Sequence, residues 1–215
     1  RYASGIDDLP QETSDVHHLL YFPNQSDELS NLSAVQRFNY YQFNSLPLTV
    51  IDGYKRFYMQ VAANSEQVLT AISAAQQKRS FISRSNCSVS ILDPETPENL
   101  LVNIELYNDR TSLFEWNSTS ALNPKFYAGI FESNQFTGGE YFSLKKWLAF
   151  EVPFSGTLNI GDSVAVEIII NTTELDSLKS YRIYYWLQNP YNSGGTIYYA
   201  KWAELPLNLV VSNTD

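Results

Sequence analysis

The sequence predicts a mainly β protein: a β-sandwich with one short helix and an extended N-terminal arm. Two observations carry most of that expectation. From Phe38 onward, aromatic and β-branched residues come in short runs separated by turn residues, the texture of strands lying half-buried on a pleated surface. Farther on, Val164, Val166, Ile168 and Ile170 alternate with Ala165, Glu167 and Ile169, so a period of two turns one apolar face toward a core. A chain of 215 residues that is 44% hydrophobic and 17% charged can bury such a core as one large β-domain or two small ones.

Taken in order, residues 1–37 read as an extended acidic arm. Up to residue 35, Asp7, Asp8, Glu12, Asp15, Asp27 and Glu28 stand against Arg1 alone, and Pro10 and Pro23 interrupt any regular element. The arm's apolar cluster, Val16-His17-His18-Leu19-Leu20-Tyr21-Phe22, is long enough for a strand. A short apolar strand in a polar arm has reason to dock, which makes Val16, Leu19, Leu20, Tyr21 and Phe22 candidate donor-strand residues. Residues 38–215 form the sandwich domain, and Asn123-Pro124 offers the junction for an alternative split near residue 125.

Within the domain, Leu46 to Ile51, Asp52-Gly53 and Tyr54 to Val61 read as a hairpin, because Asp-Gly supplies the positive φ angles of a tight primed turn. Residues 65–79 form the one expected helix: Asn64 and Gln67 have capping-box-like spacing, Val68, Leu69, Ile72 and Ala75 share a face, and Lys78-Arg79 suit the dipole's negative end. Strands follow over 81–92, 100–107, 112–116, 126–132, 141–152 and 164–170, the last opened by the turn Gly161-Asp162. Tyr181 to Gln188, Thr196 to Ala203 and Leu205 to Val211 complete roughly ten strands, an Ig-like or jelly-roll-type sandwich.

Charge and residue supply then exclude function classes. A net charge of −9 and a pI near 4.7 argue against nucleic acid, whose binding needs clustered Lys and Arg. No stretch reaches the roughly 20 apolar residues of a membrane-spanning helix. A Ser or Cys triad needs a histidine base, and the domain holds none; His17 and His18, adjacent on a strand, point to opposite faces and suit no shared metal. Glu105, Asp109, Glu115, Glu132, Glu140, Glu151 and Glu167 could supply a glycosidase pair, but no spacing selects two of them. The expectation is a protein without catalytic residues, metal or cofactor.

The compartment follows from composition. The chain opens at Arg1 and is rich in Tyr, Asn, Ser and Thr, which favours a processed, exported product. Asn24, Asn31, Asn86, Asn117 and Asn171 head five N-x-S/T triplets, candidate sites for N-linked glycans. Cys87 is the single cysteine, so no intrachain disulfide forms, and it reads as a small core hydrophobe rather than a nucleophile. Between Tyr181 and Trp202, alternation places Arg182, Tyr184, Trp186 and Gln188 on one face and Tyr181, Ile183, Tyr185 and Leu187 on the other. Tyr184, Trp186, Tyr198 and Trp202 are candidates for a subunit contact or for stacking on sugar rings, beside a plain buried sheet face.

With its apolar strand in a polar arm and no disulfide, the chain resembles the donor-strand filament subunits of prokaryotic cell surfaces. Its Tyr-, Asn- and Ser-rich makeup is similar to that of exported proteins of thermoacidophilic archaea. Leu158-Asn159-Ile160-Gly161-Asp162-Ser163-Val164-Ala165-Val166-Glu167-Ile168 resembles a turn-strand of extracellular Ig-like domains. The resemblance implies an extracellular, non-enzymatic subunit that polymerises with copies of itself into an adhesive surface filament by adding its arm strand to the next molecule's sheet. Fully extended, 35 residues reach about 115 Å, ample for such a link. The alternatives are a carbohydrate-binding β-sandwich that recognises surface glycans and a viral coat or tail protein tied by its arm.

Overall fold

The structure, a computed structural model, describes residues 19–24, 29–42, 48–51, 55–58, 65–76, 82–109, 114–116, 124–136, 139–153, 156–189 and 197–207. Val16, His17, His18, Asn117 and the Asp52-Gly53 turn lie outside these residues. The elements run β1 (Leu19–Leu20), α1 (Leu32–Tyr40), β2 (Leu48–Ile51), β3 (Lys55–Tyr58), α2 (Ser65–Gln76), β4 (Arg84–Ile91), β5 (Asn99–Tyr107), β6 (Phe114–Trp116), β7 (Lys125–Phe136), β8 (Gly139–Pro153), β9 (Gly156–Leu158), β10 (Ser163–Asn171), β11 (Tyr181–Gln188) and β12 (Ile197–Glu204). The protein is mainly β, as its strand patterning dictates.

Two sheets make the body. One has five strands in the order β1-β8-β7-β11-β12, the other three in the order β10-β5-β4, and β2-β3 and β6-β9 form small two-stranded ladders. The β2–β3 ladder joins Ile51 to Lys55 and Leu48 to Tyr58, the antiparallel pairing of a hairpin. Helix α2 lies against β2, and Leu69, expected on its apolar face, is 51% exposed.

The body is sandwich-like because alternation in each sheet turns one apolar face toward the other sheet. Leu100, Val102, Ile104 and Leu106 of β5 meet Phe126, Ala128 and Ile130 of β7 and Tyr181, Ile183, Tyr185 and Leu187 of β11 in one buried cluster. Burying each large side chain of this kind contributes about 1.5 to 3 kcal/mol. Strand β10 enters by one face only: Val164, Val166 and Ile168 pack against the cluster, Ile170 is buried in it, and Ile169 is 63% exposed.

Two features bear on function, the first a difference from the sequence expectation and the second the buried-face reading of the Tyr181 to Gln188 strand. A second helix, α1, begins at Leu32, so the boundary placed at residue 37 falls inside a regular element and residues 32–37 are not extended. Strand β11 is buried on both faces, which shows that the outer face of the five-stranded sheet is also covered.

Candidate functional site

The outer face of the five-stranded sheet is an aromatic surface. Tyr127 and Phe131 of β7, Phe142 and Leu144 of β8, and Tyr184 and Trp186 of β11 form a second buried cluster, with Trp147, Phe150 and Trp202 packed at its margin. Tyr127 and Trp186 stack with centroids 5.3 Å apart and planes 7° from parallel. Phe150 meets Tyr127 edge-on at 5.4 Å, and Tyr184 meets Phe131 edge-on at 5.1 Å. Such pairs contribute about 0.5 to 1.5 kcal/mol each beyond their buried area. Gly129 makes the density attainable, since a Cβ there would lie 2.9 Å from Leu144 Cδ1 and 3.1 Å from Phe131 Cε2.

What covers this surface is the N-terminal segment. Strand β1 lies parallel on β8, with Leu19 opposite Phe142 and Leu20 opposite Ser143. Leu19 and Tyr21 pack against the aromatic cluster, and the Tyr21 ring sits 6.0 Å from Phe131 and 6.3 Å from Trp147. Helix α1 is capped and anchored by one side chain: Asn31 Oδ1 accepts from Ala34 N at 2.9 Å, and Asn31 Nδ2 donates to the Leu144 carbonyl at 2.6 Å. Trp147 donates from its backbone N to Ser33 Oγ at 3.2 Å and from Nε1 to the Ser33 carbonyl at 2.9 Å.

Arg37 sits in the centre of the covered face, 2% exposed. Its Nη2 donates to Tyr41 Oη at 2.5 Å and to Gln188 Oε1 at 3.0 Å. Its guanidinium carbon lies 4.7, 4.5, 5.0 and 5.2 Å from the ring centroids of Tyr40, Tyr41, Tyr127 and Trp186. Nε and Nη1 have no hydrogen-bond partner among the described residues, and no carboxylate there pairs with the cation. Burial raises the pKa of the Tyr21, Tyr41 and Tyr127 hydroxyls, with the nearby Arg37 charge offsetting part of the rise. These phenols therefore stay neutral at physiological pH, and among the described residues the Arg37 charge is held by ring faces and two hydrogen bonds.

The candidate residues distribute as follows. Leu19, Leu20, Tyr21 and Phe22 are half-buried in the cover. Tyr184 and Trp186, 2% and 3% exposed, present no free ring face to a sugar; this corrects the stacking-platform expectation, because α1 and β1 already occupy the surface. Trp202 is half-buried, with the Arg182 guanidinium 3.8 Å from its ring centroid and 4.0 Å from that of Phe142. Tyr198 turns the other way, against the inter-sheet core, where its hydroxyl accepts from Asn189 Nδ2 at 3.1 Å.

The glycan candidates differ in the same manner. Asn24, Asn86 and Asn171 are exposed. Asn171 Nδ2 donates to Asn99 Oδ1 at 2.9 Å while its Oδ1 accepts from Thr173 N at 3.0 Å. Asn31 has both carboxamide atoms committed beneath the cover, and its triplet partner Ser33 is committed as well.

The other chemistry-bearing groups have structural partners. Cys87 points into the inter-sheet core, where burial pushes its thiol up to about 11. Glu132, 4% exposed, is ion-paired with Lys145 at 3.2 Å and with Lys179, and accepts from Tyr181 Oη at 3.3 Å. Burial alone would raise its pKa; the two lysines outweigh that and hold the carboxyl below its ordinary value. Asp109 pairs with Arg84 at 2.7 Å and Glu105 accepts from Tyr107 Oη at 2.5 Å. Among the described residues no cluster of His, Cys, Asp and Glu could hold a metal ion, and no helix is long and apolar enough to cross a membrane.

Sequence reasoning missed α1 and Arg37. The signal was present: Asn31 is a helix-capping residue, and Ala34, Arg37 and Tyr41, all buried, fall at i, i+3 and i+7 of one face. A search for apolar spacing skips an arginine in the middle of that stripe. No protein-family model, curated protein or solved structure matches the chain.

Proposed function

We propose that the chain is a non-enzymatic extracellular structural subunit, an Ig-like or jelly-roll-type sandwich that polymerises with copies of itself into an adhesive surface filament by exchanging its N-terminal strand. The observation that carries this reading is β1. It completes the five-stranded sheet as an added parallel edge strand, held by the two pairings Leu19–Phe142 and Leu20–Ser143, while Leu19 and Tyr21 fill the aromatic face beneath. That is the geometry of strand addition, in which backbone bonds give affinity and alternate side chains give fit. A segment that complements its own sheet complements the identical sheet of a second copy equally well, so the same contacts can close within a chain or between chains. The sugar-binding alternative retains only Trp202 of its outer-face platforms, and that ring already carries Arg182.

The test is a register-matched disulfide. In a Cys87→Ser background, Leu20→Cys and Ser143→Cys place thiols on paired positions. Assemblies collected by sedimentation and oxidised should give a covalent ladder on non-reducing gels that collapses to one band on reduction. An oxidised chain that runs only as a monomer, or a failure to sediment under any condition, overturns strand exchange between copies.

A further inference from the structure

The strand does not stand alone in its cover. We infer that the unit passed from one copy to the next carries residues 19–24 and 29–42, strand and helix together, seated as one body on the outer aromatic face of a second copy. This rests on the assembly reading above and names the exchanging part.

Three observations join the two halves. Among the described residues strand β1 pairs with β8 at Leu19–Phe142 and Leu20–Ser143, and an edge strand gains its hold from the side-chain packing beside such pairing. Helix α1 grips the same strand of the sheet, through Asn31 to the Leu144 carbonyl and Ser33 to Trp147. Trp147 is also the ring on which Tyr21 stacks, so strand and helix share one contact residue. Arg37 completes the joint. Its charge acts on the Tyr21 hydroxyl and on Tyr41, and its guanidinium lies against Tyr127 and Trp186 of the sheet. Lifting the strand without the helix would open a void beside a buried cation. Lifting both returns that cation to water, where its hydration offsets part of the lost packing.

The occupant is fixed by complementarity already on view: Leu19, Tyr21 and helix α1 of its own chain cover the aromatic face, and a second copy carries the same piece.

The experiment pairs the strand disulfide with a helix cross-link on the full chain. Ser33→Cys and Lys146→Cys, again with Cys87→Ser, flank the Ser33–Trp147 contact and are joined by a short bis-maleimide. Assemblies of each variant are collected by sedimentation before cross-linking. The expected result is a ladder from both pairs. A ladder from the strand pair with an intrachain product from the helix pair overturns the one-body cover and leaves strand exchange standing, whereas a ladder from the helix pair with an intrachain product from the strand pair overturns both. Intrachain products from both overturn the assembly reading and this inference with it. Reduced and uncross-linked samples must sediment like the Cys87→Ser parent, which shows that the substitutions leave the fold intact.

Discussion

The two faces of the five-stranded sheet are sealed in different ways. The inner face is closed by another sheet, with aliphatic Ile104, Leu106, Ile130 and Ile183 packed beside Phe126, Tyr181 and Tyr185. The outer face is aromatic and closed by a segment of chain that brings its own cation, three hydrogen bonds between the start of α1 and β8 and, among the described residues, a two-residue strand. Aliphatic packing between sheets is non-directional and accumulates over a large area. The aromatic face instead concentrates its contacts in a few oriented rings and polar handles. The same strands thus carry an inter-sheet core on one side and a cover made of a chain segment on the other.

Paired core deletions break this comparison most directly. Phe126→Ala, on the inner face, and Trp186→Ala, on the outer, should each cost about 3 to 5 kcal/mol by denaturant unfolding. Their hydrogen-exchange patterns should differ. Trp186→Ala should deprotect α1 amides before those of β5, because the cover opens as a local unit, whereas Phe126→Ala should lower protection across both sheets together. Equal patterns would mean that both faces belong to one cooperative core.

Arg37 sharpens the contrast at somewhat smaller scale. Arg37→Ala leaves a cavity among four rings and should cost about 2 to 4 kcal/mol. Arg37→Met keeps the volume and removes a buried charge that no described carboxylate pairs, so its stability should stay within about 1 kcal/mol of the parent or rise. Thermal unfolding of the two variants decides the matter. A methionine variant as damaged as the alanine one would show that the cation–ring contacts, and not packing, hold the cover.

Glu132 tests a polar tie at the inner face of β7. Its carboxyl is depressed in the folded state, so its contribution is fully present above the unfolded carboxyl value, about 4.3, and is lost as pH falls through the lower folded value. Glu132→Gln should therefore cost about 1 to 3 kcal/mol at pH 7. The gap to the parent should close as the pH drops below about 4, where the parent's own carboxyl takes up a proton. A pH-independent difference in urea midpoint would assign the loss to packing.

How far these features could be read in the sequence depends on which force builds them. Period-two alternation is a direct imprint of sheet burial, so β10 and β11 lie where the spacing of Val164 to Ile170 and Tyr181 to Gln188 places them. The face of Tyr184 and Trp186 was legible as aromatic, yet its covering was not. That depends on Tyr127, Trp147 and Arg37 meeting over long sequence separations, and no local pattern encodes a meeting of that kind. Helix α1 was hidden for a different reason: its buried stripe includes an arginine, which hydropathy scores as surface.

Asn31 carries the smallest effect and the clearest chemistry. The Asn31, Asn86 and Asn171 triplets look alike in sequence, and the fold separates them. Asn86 and Asn171 are exposed on the three-stranded sheet. Asn31 spends Oδ1 on the α1 cap and Nδ2 on Leu144, and a glycan on that nitrogen would displace the hydrogen bond that ties the cover to β8. Site-by-site mass spectrometry of chain made in a glycosylating host should find glycan at Asn86 or Asn171 and none at Asn31. Asn31→Ala should cost about 0.5 to 2 kcal/mol as a lost cap, whereas Asn86→Ala should change stability by less than about 0.5 kcal/mol. A fully glycosylated Asn31 in folded protein would mean that the cap is dispensable and the cover does not close over β8 as described.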